Sequence, residues 1–478
     1  MNAVLERLQP RWPHLIVAVV LTLAISPTPV PRPLVASLRA AAVALAGNRP
    51  AAAADWLEAA LAFQPDFVAL HPLAGQAALA GGDPSRALAH LREADRLLPP
   101  DPSRTCLLGL ALLASGDPTG AIDAWEAEPE LCLHRADILE QLAQISLELE
   151  DRPGAIEALA RLVLLVPADP EPRLQLGLLR ATLQPEAALP ELRLADELTP
   201  GGSPIAQSMV RAIEDSRPEQ QPAYTLAQVG QALARNEEWQ LAVWAFEEAL
   251  VLQPDYAEVR AYLGLALDRS GRDGLEELQA AAAASPGTGL PHTFLGLHWS
   301  AAGDPERALT EFTLAARLDP TNPALAAEIG RAHAQLGDVA SAISAYRLAT
   351  DLAPRDPGFW LLLAEFSLSR EIEIEALALP AARNAAVLSP EEPAALEALG
   401  YAYFLLGDLH LSERFLVLSA NLSPLRPQLQ YRLGLLRQAQ GDPAAARAAF
   451  ETAARLDPGG PTGDLAARTL EHLSPTGP

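Results

Sequence analysis

"SAAGDPERALTEFTLAARLDPTNPAL", residues 300–325, spells two helix boundaries in a row. Gly303 stands where a helix ends in a left-handed turn, Asp304 can cap the next helix with its carboxylate, and Pro305 fits the first helical position, where its missing N–H costs nothing. The stretch after Pro305 then runs to a second boundary, where Asn322 can cap and Pro323 can open the following helix. Gly-Asp-Pro returns at Gly82-Asp83-Pro84, Gly116-Asp117-Pro118 and Gly441-Asp442-Pro443, and Asp356-Pro357 repeats the second boundary. The 43 prolines and 30 glycines are therefore punctuation between helix pairs, not signs of disorder, since 50% of the chain is hydrophobic.

Working outward, a small residue recurs at a 34-residue beat: Ala41, Gly75, Gly109, Ala143 and Gly177, then Gly230, Gly264, Gly296, Gly330, Ala364, Gly400 and Gly434. Twelve residues later most copies carry a second small residue, such as Ala308 or Ala342, and four beyond that a large apolar one, such as Trp125, Phe246, Phe312, Tyr346 or Phe450. A proline closes almost every copy. Small side chains let two antiparallel helices cross closely, and we expect the aromatic to fill the space toward the next repeat.

This pattern resembles the tetratricopeptide repeat family over roughly residues 34 to 458. The resemblance implies an all-α fold, an α-solenoid in which about twelve antiparallel helix pairs wind into a right-handed superhelix. The domain reading is a signal or anchor segment with a Pro-rich spacer (1–33), a first array of about five repeats (34–200), a linker or orphan helix (201–222), a second array of about seven repeats (223–458), and a capping helix with tail (459–478). The segment 201–222 reads either as a hinge or orphan helix between arrays or as a degenerate repeat that continues the superhelix. Repeat three is broken by Pro129, repeat seven is shortened around Leu275, and repeat ten is lengthened around Ile372.

Leu15 to Ile25 is apolar except for Thr22, follows Arg7 and Arg11, and precedes "SPTPVPRP". Eleven residues is short of the roughly 20 needed to span a bilayer and fits a secretory-signal core. We read it first as an uncleaved anchor that places the repeats outside the cytoplasm, second as the signal of a secreted or periplasmic protein, and third as a cytoplasmic helix docked on the first repeat.

Net charge is −25, and all 35 basic residues are arginine. That balance argues against nucleic acid as the main partner and suits the product of a GC-rich bacterial genome. Cys106 and Cys132 could pair in an exported protein, but two free, partly buried thiols are the expectation. No metal site is expected, because His292 and His298 lie six apart on different helix faces. No catalytic constellation and no cofactor motif stands out.

In the family, the inner wall is built from the first helix of each repeat at its second, fifth, ninth, twelfth and thirteenth places. Carried over, these give an apolar strip (Leu38, Leu45, Leu79, Leu110, Leu113), a basic middle (Arg235, Arg269 and Arg331, beside Glu258 and Asp268) and an aromatic end (Tyr401, Phe404, Leu405, Tyr431, Leu435). The clamp of chaperone-binding members uses lysine, which is absent here. The resemblance implies a non-enzymatic scaffold that binds a protein or extended peptide, with the aromatic end as principal anchor and the membrane engaged through the N-terminal segment. A homo-oligomer is open. The alternative is an accessory subunit of envelope polysaccharide synthesis or export.

Overall fold

The computed structural model describes residues 32–473, which form 27 α-helices and no strand. The apolar run at Leu15–Ile25 lies outside the described residues, and no helix among them is long and apolar enough to cross a membrane. The chain divides into two compact units, Met1–Glu248 and Ala249–Pro478.

The first unit stacks five helix pairs: Arg32–Ala46 with Pro50–Phe63, Leu70–Ala80 with Pro84–Leu97, Pro102–Ala114 with Pro118–Ala127, Ala136–Glu148 with Arg152–Leu165, and Pro170–Ala181 with Pro185–Leu198. An extra helix, Pro204–Ser216, packs on Pro185–Leu198 before it and Pro222–Arg235 after it, burying Met209 and Ile213. In the second unit the pairs begin at Ala257, Gly289, Pro323, Pro357, Pro393 and Pro427, and Pro461–Leu473 covers the last pair.

The boundaries follow the local chemistry. Gly303 has φ +75°, and Asp304 accepts a hydrogen bond from Arg307 N–H at 3.0 Å, with Pro305 opening the helix. Asp83, Asp117 and Asp442 cap their helices in the same way. Asn322 accepts from Ala324 N–H at 3.1 Å.

Within a pair the small residue meets its partner at the closest point. A Cβ on Gly330 would stand 2.8 Å from the Tyr346 ring, and one on Gly400 would stand 2.8 Å from Leu416 Cγ and 3.0 Å from its backbone N. Gly296 and Phe312, and Gly434 and Phe450, meet likewise. The aromatic therefore covers the glycine of its own repeat as well as reaching the next, as Phe312 does with Leu325.

The irregular repeats depart where expected. After Ala127 the chain breaks and Pro129–Cys132 forms a short helix that packs on Pro102–Ala114. This turn overturns the expectation of free thiols: Cys106 and Cys132 are disulfide-bonded, with Cα atoms 5.3 Å apart and both residues fully buried. Beside them Trp125 donates its indole N–H to Cys106 O at 3.2 Å. Repeat seven keeps only a ten-residue second helix, Leu275–Ala284, and repeat ten enters Leu379–Leu388 through a π-turn at Ile374–Ala378.

Candidate functional site

A groove of about 790 Å³ opens in the first unit on the wall of repeats four and five. Helix Ala136–Glu148 contributes Glu140, Gln144 and Leu147, its fifth, ninth and twelfth residues. Helix Pro170–Ala181 contributes Glu171, Leu174 and Leu178, its second, fifth and ninth. An α-helix presents such places on one face, so the two helices turn one continuous strip toward the opening. Leu159 and Leu162 close the floor, while Ile205, Leu241 and Trp244 supply a third side.

The groove is apolar within and polar at its edge. Carboxylates stand at Glu140, Asp169, Glu171 and Glu238, and no arginine lines it. Gln144 donates to Glu148 at 3.1 Å and Gln175 donates to Glu171 at 3.0 Å, which leaves both amide carbonyl oxygens to accept. Gln240 Nε2 is buried against the groove with no protein acceptor. The Arg152 guanidinium lies over the Trp244 ring, 5.4 Å from its centroid, and leaves Nη1 equally unpaired. Buried donors of this kind are uncommon in folded proteins and favour an acceptor supplied from outside.

The residues singled out from the sequence go elsewhere. Leu38, Leu79 and Leu110 are buried and Leu45 and Leu113 pack against the same core, so the apolar strip is inter-repeat packing and not an open wall. Arg235 is exposed beside a smaller recess with Arg211, Asp215 and Tyr224, in the first unit. Arg269 and Arg331 belong to the second, where Arg331 pairs with Glu328 on its own helix at 3.5 Å. Glu258 opens helix Ala257–Arg269, and Asp268 binds His298 Nδ1 at 2.9 Å with Asp273 nearby. His292 instead faces Glu311 at 2.7 Å, whereas His298, Asp268 and Asp273 bring three possible metal-ligand atoms within 4.8 Å of one another.

At the aromatic end, Tyr401 stacks on Phe404 with ring centroids 5.9 Å apart, and Tyr431 meets Phe450 at 5.4 Å. All five residues are half-buried, and they are shared among three cores: Tyr401 and Leu405 in one, Phe404 in a second, Tyr431 and Leu435 in a third. Arg432 lays its guanidinium over the Tyr401 ring at 4.6 Å. The same group donates to Glu365 at 2.8 and 3.2 Å and to Glu397 at 3.0 Å, and Arg426 holds the other Glu397 oxygen at 3.0 Å. Burial raises the Glu397 carboxyl above the ordinary carboxylate range, against the opposing pull of Arg432 and Arg426. Three successive first helices are thereby tied together by groups the sequence reading passed over. A signal was present, for Glu365 and Glu397 hold the ninth and fifth places of their repeats.

Family models of the tetratricopeptide repeat match residues 300–366 and, in a second form, 73–131 and 413–461. The chain is a tetratricopeptide repeat protein. Such repeats make a protein-interaction scaffold, which agrees with a wall that carries a groove. Among solved structures, this repeat protein is similar to the APC/C hetero-tetramer Cut9–Hcn1 (15% identity over 93% of this chain and 97% of that one, TM-score 0.45). It is also similar to the yeast Tom70 (14%, 92% and 95%, 0.39) and to a thermophilic tetratricopeptide repeat protein of Thermus thermophilus (24%, 39% and 98%, 0.33). No curated protein matches it in sequence.

Proposed function

We propose that this tetratricopeptide repeat protein is a non-enzymatic scaffold that receives an extended segment of a protein partner in the groove of repeats four and five. One contrast carries the reading. At the last repeats Arg432 stacks on Tyr401 and pairs with Glu365 and Glu397, whereas the wall at Glu140, Gln144 and Leu174 faces an open recess with an unpaired buried donor at its side. The volume lies inside the roughly 300–1,000 Å³ range of ligand sites.

The repeats are further proposed to work outside the cytoplasm, anchored through the N-terminal segment. The Cys106–Cys132 bond supports this, because the cytosol keeps thiols reduced. An export-dependent reporter fused after Pro33 is expected to be active; an inactive fusion beside a fully soluble protein overturns the location.

Photo-crosslinking tests the groove. A benzoylphenylalanine at Leu174 is expected to capture a partner in native membranes or cell extract, and the same group at Leu164, 80% exposed on a second helix, is expected not to. Equal labelling from both positions, or none from Leu174, overturns the assignment.

A further inference from the structure

We infer that the occupant of the groove is an extended peptide in which basic side chains alternate with apolar ones; this rests on the reading of the groove as the partner site. The argument starts from charge. Asp169, Glu171 and Glu238 stand at one recess whose lining includes no arginine, Arg152 lying over the Trp244 ring instead. Elsewhere in this unit carboxylates meet arginines: Glu191 takes both Arg173 and Arg180, Asp137 takes Arg135, and Glu186 takes Arg217. Like charges gathered around one opening raise the local potential and favour a cation from outside.

The floor sets the second requirement. Leu147, Leu174, Ile205 and Leu241, each half-exposed at the recess, offer apolar surface that a purely basic ligand would leave uncovered. Alternation follows from the geometry of an extended strand, whose successive side chains point to opposite sides, one set down to the leucines and the other up to the carboxylates. The backbone is provided for as well. Gln240 Nε2 is a buried donor awaiting a carbonyl, and the carbonyl oxygens of Gln144 and Gln175 can accept peptide N–H groups.

Fluorescence anisotropy on the full chain gives the test, with two labelled, end-capped peptides that alternate leucine with arginine or leucine with glutamate. The arginine peptide is expected to saturate and to bind at least about tenfold more tightly than the glutamate peptide, a gap of about 1.4 kcal/mol. Glu171→Lys with Glu238→Lys is expected to remove that preference. Both side chains are exposed, so folding is preserved, and Glu171→Gln with Glu238→Gln provides a milder version. Because the whole protein is acidic, the control places the same charge change on an exposed second-helix site and the short turn after it, Glu126→Lys with Glu130→Lys, and there the preference is expected to persist.

Equal binding of the two peptides, or an equal loss in the control variant, overturns the inference. If neither peptide binds while Leu174 still crosslinks to a partner, the groove remains the partner site and the basic, alternating occupant is wrong. If the crosslink fails too, both readings fall together.

Discussion

Glu397, only 1% exposed, shares its carboxylate between Arg432 and Arg426, each at 3.0 Å. Taking two charges out of water costs more than their attraction returns unless every partner is in place, and removing one partner of a buried pair costs about 3–5 kcal/mol. Arg432→Met is therefore expected to lower the melting temperature of the second unit sharply. Adding Glu397→Leu is expected to recover most of that loss, because Glu365 and Arg426 are each more than a third exposed and can turn to water. A double variant no better than the single one would show that the network stabilises through its charges.

The same burial gives a pH dependence. Glu397 keeps its proton to higher pH in the folded chain than in the unfolded one, where carboxyls titrate near about 4.3. Its contribution to stability is then fully present below that value and declines as pH rises through the window above it. Compared with Glu397→Gln, which cannot titrate, the wild type is expected to lose ground as pH rises through and above the ordinary carboxyl range. Thermal melts of both across that range provide the check; a gap that widens in favour of the wild type as pH rises reverses the sign and refutes the burial argument.

Gly330 and Gly303 are small for different reasons, and substitution separates them. Gly330→Leu forces a side chain into the Tyr346 ring and is expected to cost about 3 kcal/mol, the upper end for overpacking, as is Gly400→Leu against Leu416. At Gly303 no heavy atom lies within 4 Å of an added Cβ, so the cost of Gly303→Ala comes only from its positive φ, about 1–2 kcal/mol. Denaturant unfolding of the three variants checks the order, and tolerance of both leucines would undo the helix register.

Cys106–Cys132 closes a loop with a sequence separation of 26 residues. Cross-links of this span stabilise by about 2–4 kcal/mol. Cys106→Ala with Cys132→Ala is expected to lose that amount and to loosen repeat three, where Trp125 rests on the Cys106 carbonyl. Mass spectrometry after alkylation without reductant should find neither thiol modified.

What the sequence made legible was local. Turn glycines, capping aspartates and first-position prolines set the helix boundaries, as Gly303, Asp304 and Pro305 do at one end of a repeat and Asn322 and Pro323 at the other. What stayed hidden depended on how distant segments meet. The cysteines pair because Pro129 folds the chain back on its own repeat, and a separation of 26 residues carries no sign of that. Arg432 reaches Glu365 across 67 residues, and the tyrosines at neighbouring wall places drew attention from the carboxylates that share them. The third side of the groove comes from Ile205 on the extra helix Pro204–Ser216 and from Leu241 and Trp244, all beyond the two repeats whose wall it lies on.

Tyr401 and Phe404 decide between the two walls. As exposed anchors they would lose affinity when truncated, by about 2 kcal/mol or more for a true hot spot. Half-buried, stacked on each other and capped by Arg432, they instead hold the last repeats together. Tyr401→Ala with Phe404→Ala is expected to destabilise the second unit by about 3–5 kcal/mol, the usual loss for a large aromatic removed from a core. Binding of a copurified partner, measured per folded molecule, is expected to stay within about twofold, since roughly 0.4 kcal/mol is the usual limit of indirect effects between sites that share no partner. Leu147→Glu with Leu174→Glu is expected to do the reverse, because both side chains are half-exposed in the groove and a charge there displaces apolar contact without emptying a core. If the aromatic pair abolishes binding in a variant that remains folded, the partner rests on the wall of the last repeats and the groove of repeats four and five is not its principal site.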